Sequence, residues 1–226
     1  MASQKTTAAL PCLPMFQALS GEQLESLLAA SREKLLQKGE ILFHKGDRPR
    51  GFYLIISGQV KLAIASPQGN EKVVDILGSG QSFGEALMFM DRPYPVFAQA
   101  LGDTVLVLVP QAEVFELLEK DALFARRMLA GLSMRLHALV QDVESYTLRS
   151  SAERVIGYLL QNSDPEAPGQ QEVALPASKQ VIASLLNLTP ETLSRIFHDL
   201  SSAGLITVQG KHVLILDTAR LAQYHP

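Results

Sequence analysis

In the stretch "LTPETLSRIFHDL", residues 188–200, three side chains that can read a base edge stand at helical spacing: Glu191, Ser194 and Arg195. Positions i, i+3 and i+4 share one face of a helix. An arginine fork matches guanine O6 and N7, an ionised glutamate accepts from cytosine N4, and a serine hydroxyl serves either kind of base. Taken alone, the same residues form a solvated face with an i,i+4 Glu191–Arg195 pair worth about 0.2–0.5 kcal/mol. The surrounding elements decide between the two readings.

The helix has its own start and stop. Thr189 suits the N-cap and Pro190 the first position, where a fixed φ and a missing N–H cost nothing. Gly204 suits the end. Leu193, Ile196, Phe197 and Leu200 repeat at i, i+3, i+4 and i+7 and predict a buried stripe opposite the polar one. Upstream, a helix capped by Ser178, with Val181, Ile182, Leu185 and Leu186 inward, joins it through Asn187, a residue that tolerates the left-handed backbone. The pair is a helix-turn-helix. Downstream, "GLITVQGKHVLIL" alternates as a hairpin turning at Gln209 and Gly210, which reads as a wing. The second helix of such a motif enters the major groove, so the base-reading assignment prevails.

Other elements precede the motif. "SSAERVIGYLLQN" opens with Ser150 and Glu153 at capping-box spacing, which starts a helix there and places a hinge near residues 145–151. Leu129, Leu132, Leu136, Leu139, Val143 and Tyr146 step by three and four between polar flanks, a heptad seam that predicts a parallel coiled-coil homodimer. From Leu36 to Ala100, and through "VFAQALGDTVLVLVP", short β-branched and aromatic runs are broken by Gly, Asp, Asn and Pro, predicting a small sandwich or barrel. "SGEQLESLLAAS" reads as a lidding helix with Ser20 as cap and Leu24, Leu27 and Leu28 on one side. The expected class is α+β, divided into a sensing β domain at 1–121, a dimerisation helix at 122–148 and a DNA-binding domain at 149–226.

Composition bounds these readings. At 226 residues and 47% hydrophobic content the chain can bury packed cores. Net charge is -3, and from residue 151 onward five basic residues (Arg154, Lys179, Arg195, Lys211, Arg220) face seven acids. Neither half is basic, so phosphate attraction is modest and affinity must rest on base contacts and a dimer. Apolar runs such as "TVLVLV" fall short of the roughly 20 residues of a membrane helix, and the amino terminus lacks a leader pattern. A soluble, cytoplasmic protein without a membrane partner is expected. A single cysteine, Cys12, excludes an internal disulfide and a four-thiolate cluster. An enzyme is not expected either: His44 lacks a second histidine among the strands to complete a metal triad, and no nucleophile elbow or P-loop occurs. Glu85 reads as a structural carboxylate of the Gly-Glu turn.

The runs "KGEILFHKGD", "FYLIISGQVKL" and "FGEALMFMD" resemble the cyclic-nucleotide-binding-like β-roll (jelly roll) of the Crp/Fnr family of transcription regulators, and "TPETLSRIF" resembles its recognition helix. The resemblance covers nearly the whole chain. It implies a β-roll, a long dimerisation helix and a C-terminal winged helix-turn-helix, in a homodimer that binds double-stranded DNA. It further implies a small-molecule or gas effector and RNA polymerase as a partner. The form E-x-x-S-R at Glu191, Ser194 and Arg195 implies a palindromic TTGAT-type site. Ser178 and Thr189 match positions that hold the phosphate backbone, with Lys179 and Lys211 as further backbone candidates. Pro190 departs from the cyclic-AMP-responsive branch, which carries an arginine there.

Phe83, Gly84, Glu85, Pro95, Val96, Leu139 and Val140 align with the family's effector pocket. In the cyclic-nucleotide branch an Arg and a Ser hold the phosphate, and a Thr and a Ser on the long helix hold the purine. Here the matching positions are Pro95, Val96, Leu139 and Val140. A phosphate anion would lose charge-assisted partners worth about 1.5–3 kcal/mol each, so cyclic AMP in the standard mode is not expected. Arg92 leaves a displaced mode open. The run "ALMFMD" resembles the nitric-oxide-responsive denitrification regulators (the Dnr-like branch), which implies haem as a cofactor. Haem iron needs an axial ligand, for which the sequence offers His44, His137, His198, His212, His225, Cys12, Met88 and Met90 without choosing among them.

Overall fold

The computed structural model describes residues 20–65, 71–127, 129–130, 133, 150–163 and 170–224. They fall into two compact units, Met1–His137 and Ala138–Pro226.

In the first unit, Ser20 starts helix α1 (Gly21–Ala30) with a full capping box: its hydroxyl accepts from the Gln23 N–H, and the Gln23 side chain accepts from the Ser20 N–H. Eight strands follow, with a short helix α2 (Glu85–Phe89) between the sixth and seventh and helix α3 (Gln111–Lys120) after the eighth. One sheet holds β1 (Arg32–Leu36), β8 (Thr104–Pro110), β3 (Gly51–Ser57) and β6 (Ser82–Phe83) in that order. The other holds β2 (Ile41–Phe43), β7 (Phe97–Ala100), β4 (Val60–Ala65) and β5 (Glu71–Leu77).

Alternation along β3 divides the unit into two cores. Phe52 and Leu54 pack with Leu27, Leu28, Val107 and Val114 beneath the helices. Tyr53 and Ile55 face the other way, into a cluster that draws on all eight strands, including Leu36, Phe43, Val60, Leu77, Phe83, Ala98 and Leu106. That second cluster is the inside of the roll. A strand buried on both faces reads as a continuous apolar run, which is why "FYLII" and "VLVLV" show no polar alternation.

The second unit contains α4 (Ser151–Gln161), β9 (Gln171–Ala174), α5 (Lys179–Leu185), α6 (Pro190–Ser202), β10 (Ile206–Gln209), β11 (His212–Ile215) and α7 (Thr218–Ala222). Ser150 and Glu153 form the expected capping box. The helix-turn-helix and hairpin are where the sequence places them, with three differences. The hairpin turns at Gly210 and Lys211, one residue later than expected, because Gln209 still pairs with His212. Gly210 supplies the positive φ of 61° that a two-residue turn needs. Residues 171–174, for which the sequence predicts no strand, form a third strand that pairs with β11 through Val173 and Val213. On α5, Ile182, Ala183 and Leu186 are buried, whereas Val181 and Leu185 are only half-buried.

Several expectations fall outside the described residues: the seam positions Leu132, Leu136, Leu139, Val143 and Tyr146, pocket position Val140, and hinge residues 145–149. The Leu24 side chain does too. Leu129 is described and is 65% exposed.

Candidate nucleic-acid interface

Helix α6 begins as its sequence dictates. Thr189 is in extended backbone, its hydroxyl oxygen accepts from the Thr192 N–H at 3.2 Å, and Pro190 takes the first helical position. Leu193, Ile196, Phe197 and Leu200 are all buried. At about 1.5–3 kcal/mol each, their burial outweighs any surface ion pair several-fold and fixes which face turns outward. Glu191, Ser194, Arg195 and His198 are all exposed on that outward face.

No ion pair among the described residues ties up this face. Among the described residues no Glu191–Arg195 ion pair forms, and Arg195 meets no carboxylate. Glu191 instead takes a bond from its own backbone N–H and another from the Thr189 hydroxyl, which together hold its carboxyl below the usual glutamate range. An acceptor kept ionised in this way suits cytosine N4.

The turn before α6 is tied from elsewhere. Asn187 adopts φ 56°, and the Leu188 N–H donates back to the Ala183 carbonyl at 2.8 Å. Arg154, from the first turn of α4, donates from Nη1 to the Leu186 carbonyl at 2.9 Å and from Nη2 to Ser151 Oγ at 3.2 Å. Sequence reasoning counted Arg154 only as a charge. Its signal was its place: a cation in the first turn opposes the helix dipole and so needs a specific partner.

The backbone candidates lie at two helix starts and at the hairpin turn. Ser178 caps α5 by accepting from the Val181 N–H at 3.4 Å. Lys179 sits with Nζ 5.5 Å from the centre of the Phe197 ring, and Lys211 is exposed at the hairpin turn.

In the first unit, the candidate effector turn borders an interior full of rings. Phe43 stacks on Tyr94 at 3.7 Å, and Tyr53 stacks on Phe83 at 5.4 Å. Gly84, at φ 95°, caps α2, and a Cβ there would lie 3.3 Å from Tyr94 Oη. That hydroxyl is buried without a partner among the described residues, and burial pushes its pKa well above the usual tyrosine range. Glu85 is buried, Val96 packs against the interior cluster, and Pro95 is exposed.

Among the described residues the ligand candidates for haem do not complete a site. Met88 is sealed in the core beneath the helices, while His44 and Met90 are exposed. His198 and His212 belong to the second unit, where His212 Nδ1 lies 2.6 Å from a Glu172 oxygen. Cys12, His137 and His225 lie outside the described residues.

Residues 33–121 match the cyclic nucleotide-binding domain family, and residues 153–224 match the Crp-like helix-turn-helix domain family. The transcriptional activator protein anr of Pseudomonas aeruginosa is 31% identical over 215 residues, covering 93% of this chain and 86% of that protein. This chain belongs to the Crp/Fnr family of transcription regulators. The crystal structure of DNR from Pseudomonas aeruginosa is similar at 34% identity, covering all of both chains with a TM-score of 0.55. FixK2 from Bradyrhizobium japonicum shares the fold, with a TM-score of 0.73 over 84% of this chain and 95% of its own at 22% identity. Family membership makes the chain a DNA-binding regulator and not an enzyme. Regulators of this family bind DNA as dimers, take a small-molecule effector and contact RNA polymerase. No helix among the described residues is long and apolar enough to cross a membrane.

Proposed function

We propose that this protein is a cytoplasmic, homodimeric regulator that reads a palindromic TTGAT-like site and is gated by nitric oxide or another small gas. The outward face of α6 carries the DNA reading: Arg195 contacts the guanine, Glu191 the paired cytosine and Ser194 a neighbouring thymine. Ser178, Lys179, Thr189 and Lys211 hold phosphates around it, with helix N-termini helping at the two caps. The domain limits are 1–121, 122–148 and 149–226, with the dimer closed along Leu129, Leu132, Leu136, Leu139 and Val143. The 65% exposure of Leu129 supports that seam, since an apolar residue so exposed suits a partner. Rotation near residues 145–151 sets the two recognition helices roughly 34 Å apart.

The effector reading rests on the pocket's apolar lining, where Pro95 and Val96 stand at the phosphate-holding positions, together with the likeness to DNR. Haem is the suggested carrier, its axial ligand drawn from the histidine, cysteine and methionine candidates named above.

Titrating wild type and Arg195→Ala against a palindromic TTGAT duplex, and against one with that guanine replaced, tests the reading. The variant loses about 1–3 kcal/mol per half-site on the intact duplex and little on the altered one. An equal loss on both would leave Arg195 as a backbone anchor.

A further inference from the structure

Four cations converge on one mouth of the β-roll. A cavity of about 650 Å³ opens there, lined by Arg32, Lys34, Arg48 and Arg50. Tyr53, Tyr94, Phe43 and Leu108 line it as well, so cations and aromatic rings share one cavity. The size falls within the range of about 300–1,000 Å³ typical of small-molecule sites.

Strand β1 supplies half of the rim. Arg32 pairs with Leu108 and Lys34 with Leu106, and Leu106 is buried inside the roll. Alternation therefore turns Arg32, Lys34 and Leu36 to the inner side, where Leu36 alone of the three is buried. Inward charge on an edge strand guards against edge-to-edge pairing, and β1 is an edge. That accounts for Arg32 and Lys34. It does not account for Arg48 and Arg50, which reach the same cavity from the loop before β3.

The acids present do not neutralise the rim. Glu33 and Asp47 also line the cavity, and Asp47 is engaged by the His44 N–H at 2.8 Å. Arg48 approaches Asp91 at 3.6 Å in an exposed pair of little strength. Arg32, Lys34 and Arg50 pair with no carboxylate among the described residues.

We propose that this mouth is a second binding site, for a small planar aromatic molecule carrying two or more negative charges. The ring packs against Tyr53, which is half-buried where Phe43 and Tyr94 are buried, and the anionic groups meet Arg32, Lys34 and Arg50. Gly84, Glu85, Pro95 and Val96 do not line it, and Tyr94, whose hydroxyl faces Gly84, is the ring it shares with the effector turn.

Pyridoxal 5′-phosphate, added to the full-length protein, is the probe. It has a flat ring, a phosphate dianion and an aldehyde that condenses with a lysine amine, releasing water. Borohydride then fixes the imine as a secondary amine. Saturable binding is expected, with the label on Lys34 and an affinity lowered by about ten-fold or more in both Arg32→Ser and Arg50→Ser. Pyridoxal and inorganic phosphate, each carrying half of the recognition, should bind more weakly than the probe. Both arginines are exposed, so unchanged thermal unfolding and DNA affinity will confirm that the variants are folded. Label spread evenly over Lys34, Lys38, Lys45 and Lys120 would overturn the site, as would an affinity unmoved by both substitutions. Inorganic phosphate binding as tightly as the probe would overturn its aromatic half.

Discussion

Replacing Arg154 by methionine keeps the apolar stem and removes the guanidinium that holds the helix-turn-helix turn. The 2.9 Å bond to the Leu186 carbonyl has an ionised donor, and such bonds are worth about 1.5–3 kcal/mol. The 3.2 Å bond to Ser151 Oγ adds about 0.5–1.5 kcal/mol, and the 3.5 Å approach to the Asn187 carbonyl adds little. Against these stands Arg154 Nε, buried without a partner among the described residues, whose removal recovers about 1 kcal/mol or more. The net loss is about 1–3 kcal/mol, concentrated where Asn187 holds its left-handed backbone. Native-state hydrogen exchange reads it locally. The Leu188 amide, bonded to the Ala183 carbonyl, and the Leu193 amide, bonded to that of Thr189, should lose about 5- to 150-fold in protection. Lysine at 154 keeps the charge without the fork and should fall between the two. Protection at both amides within about two-fold of wild type in Arg154→Met would refute the role of the guanidinium.

Three further outcomes follow from the same geometry. Glu191 should titrate by carbon NMR below the ordinary 4.5. Its depressed folded pKa means that any contribution of the charged form is complete above that value and is lost as pH falls through the lower one. Thr189→Val should raise the midpoint, and an unmoved midpoint would remove Thr189 as a cause. Phe197→Ala, at a site 4% exposed, should cost about 3–5 kcal/mol in denaturant unfolding and free the Lys179 head above the ring; a cost under about 1 kcal/mol would contradict the packing. Tyr94→Phe should stabilise the roll by about 1 kcal/mol, because it deletes a buried hydroxyl with no partner among the described residues. A lower unfolding midpoint would show that the hydroxyl has one.

What was legible in the sequence was local. The caps at Ser20, Ser150, Ser178 and Thr189 form as their spacing predicts, and Asn187 takes the backbone that its side chain tolerates. The buried and exposed stripes of α6 follow from a period of 3.6. What was missed depends on pairing between distant segments. β9 contains only four residues, alternating buried and exposed, and its existence rests on the ladder to β11, some forty positions later. That ladder and the one to β10 run through His212, which keeps Gln209 paired and pushes the hairpin turn to Gly210 and Lys211. Arg154 belongs to the same class, since its partner carbonyl lies 32 residues away.

The interior of the roll shows how the two kinds of information combine. Resemblance named Pro95 and Val96 as apolar replacements for phosphate-holding residues, which speaks only to lost partners. The structure adds what borders the turn: the Phe43 and Tyr94 rings, brought together from segments fifty residues apart, with Tyr94 Oη against Gly84. A phosphate there would meet no cation at 95 and 96. A small uncharged effector requires no such partners, which is why the apolar substitutions favour that class of signal.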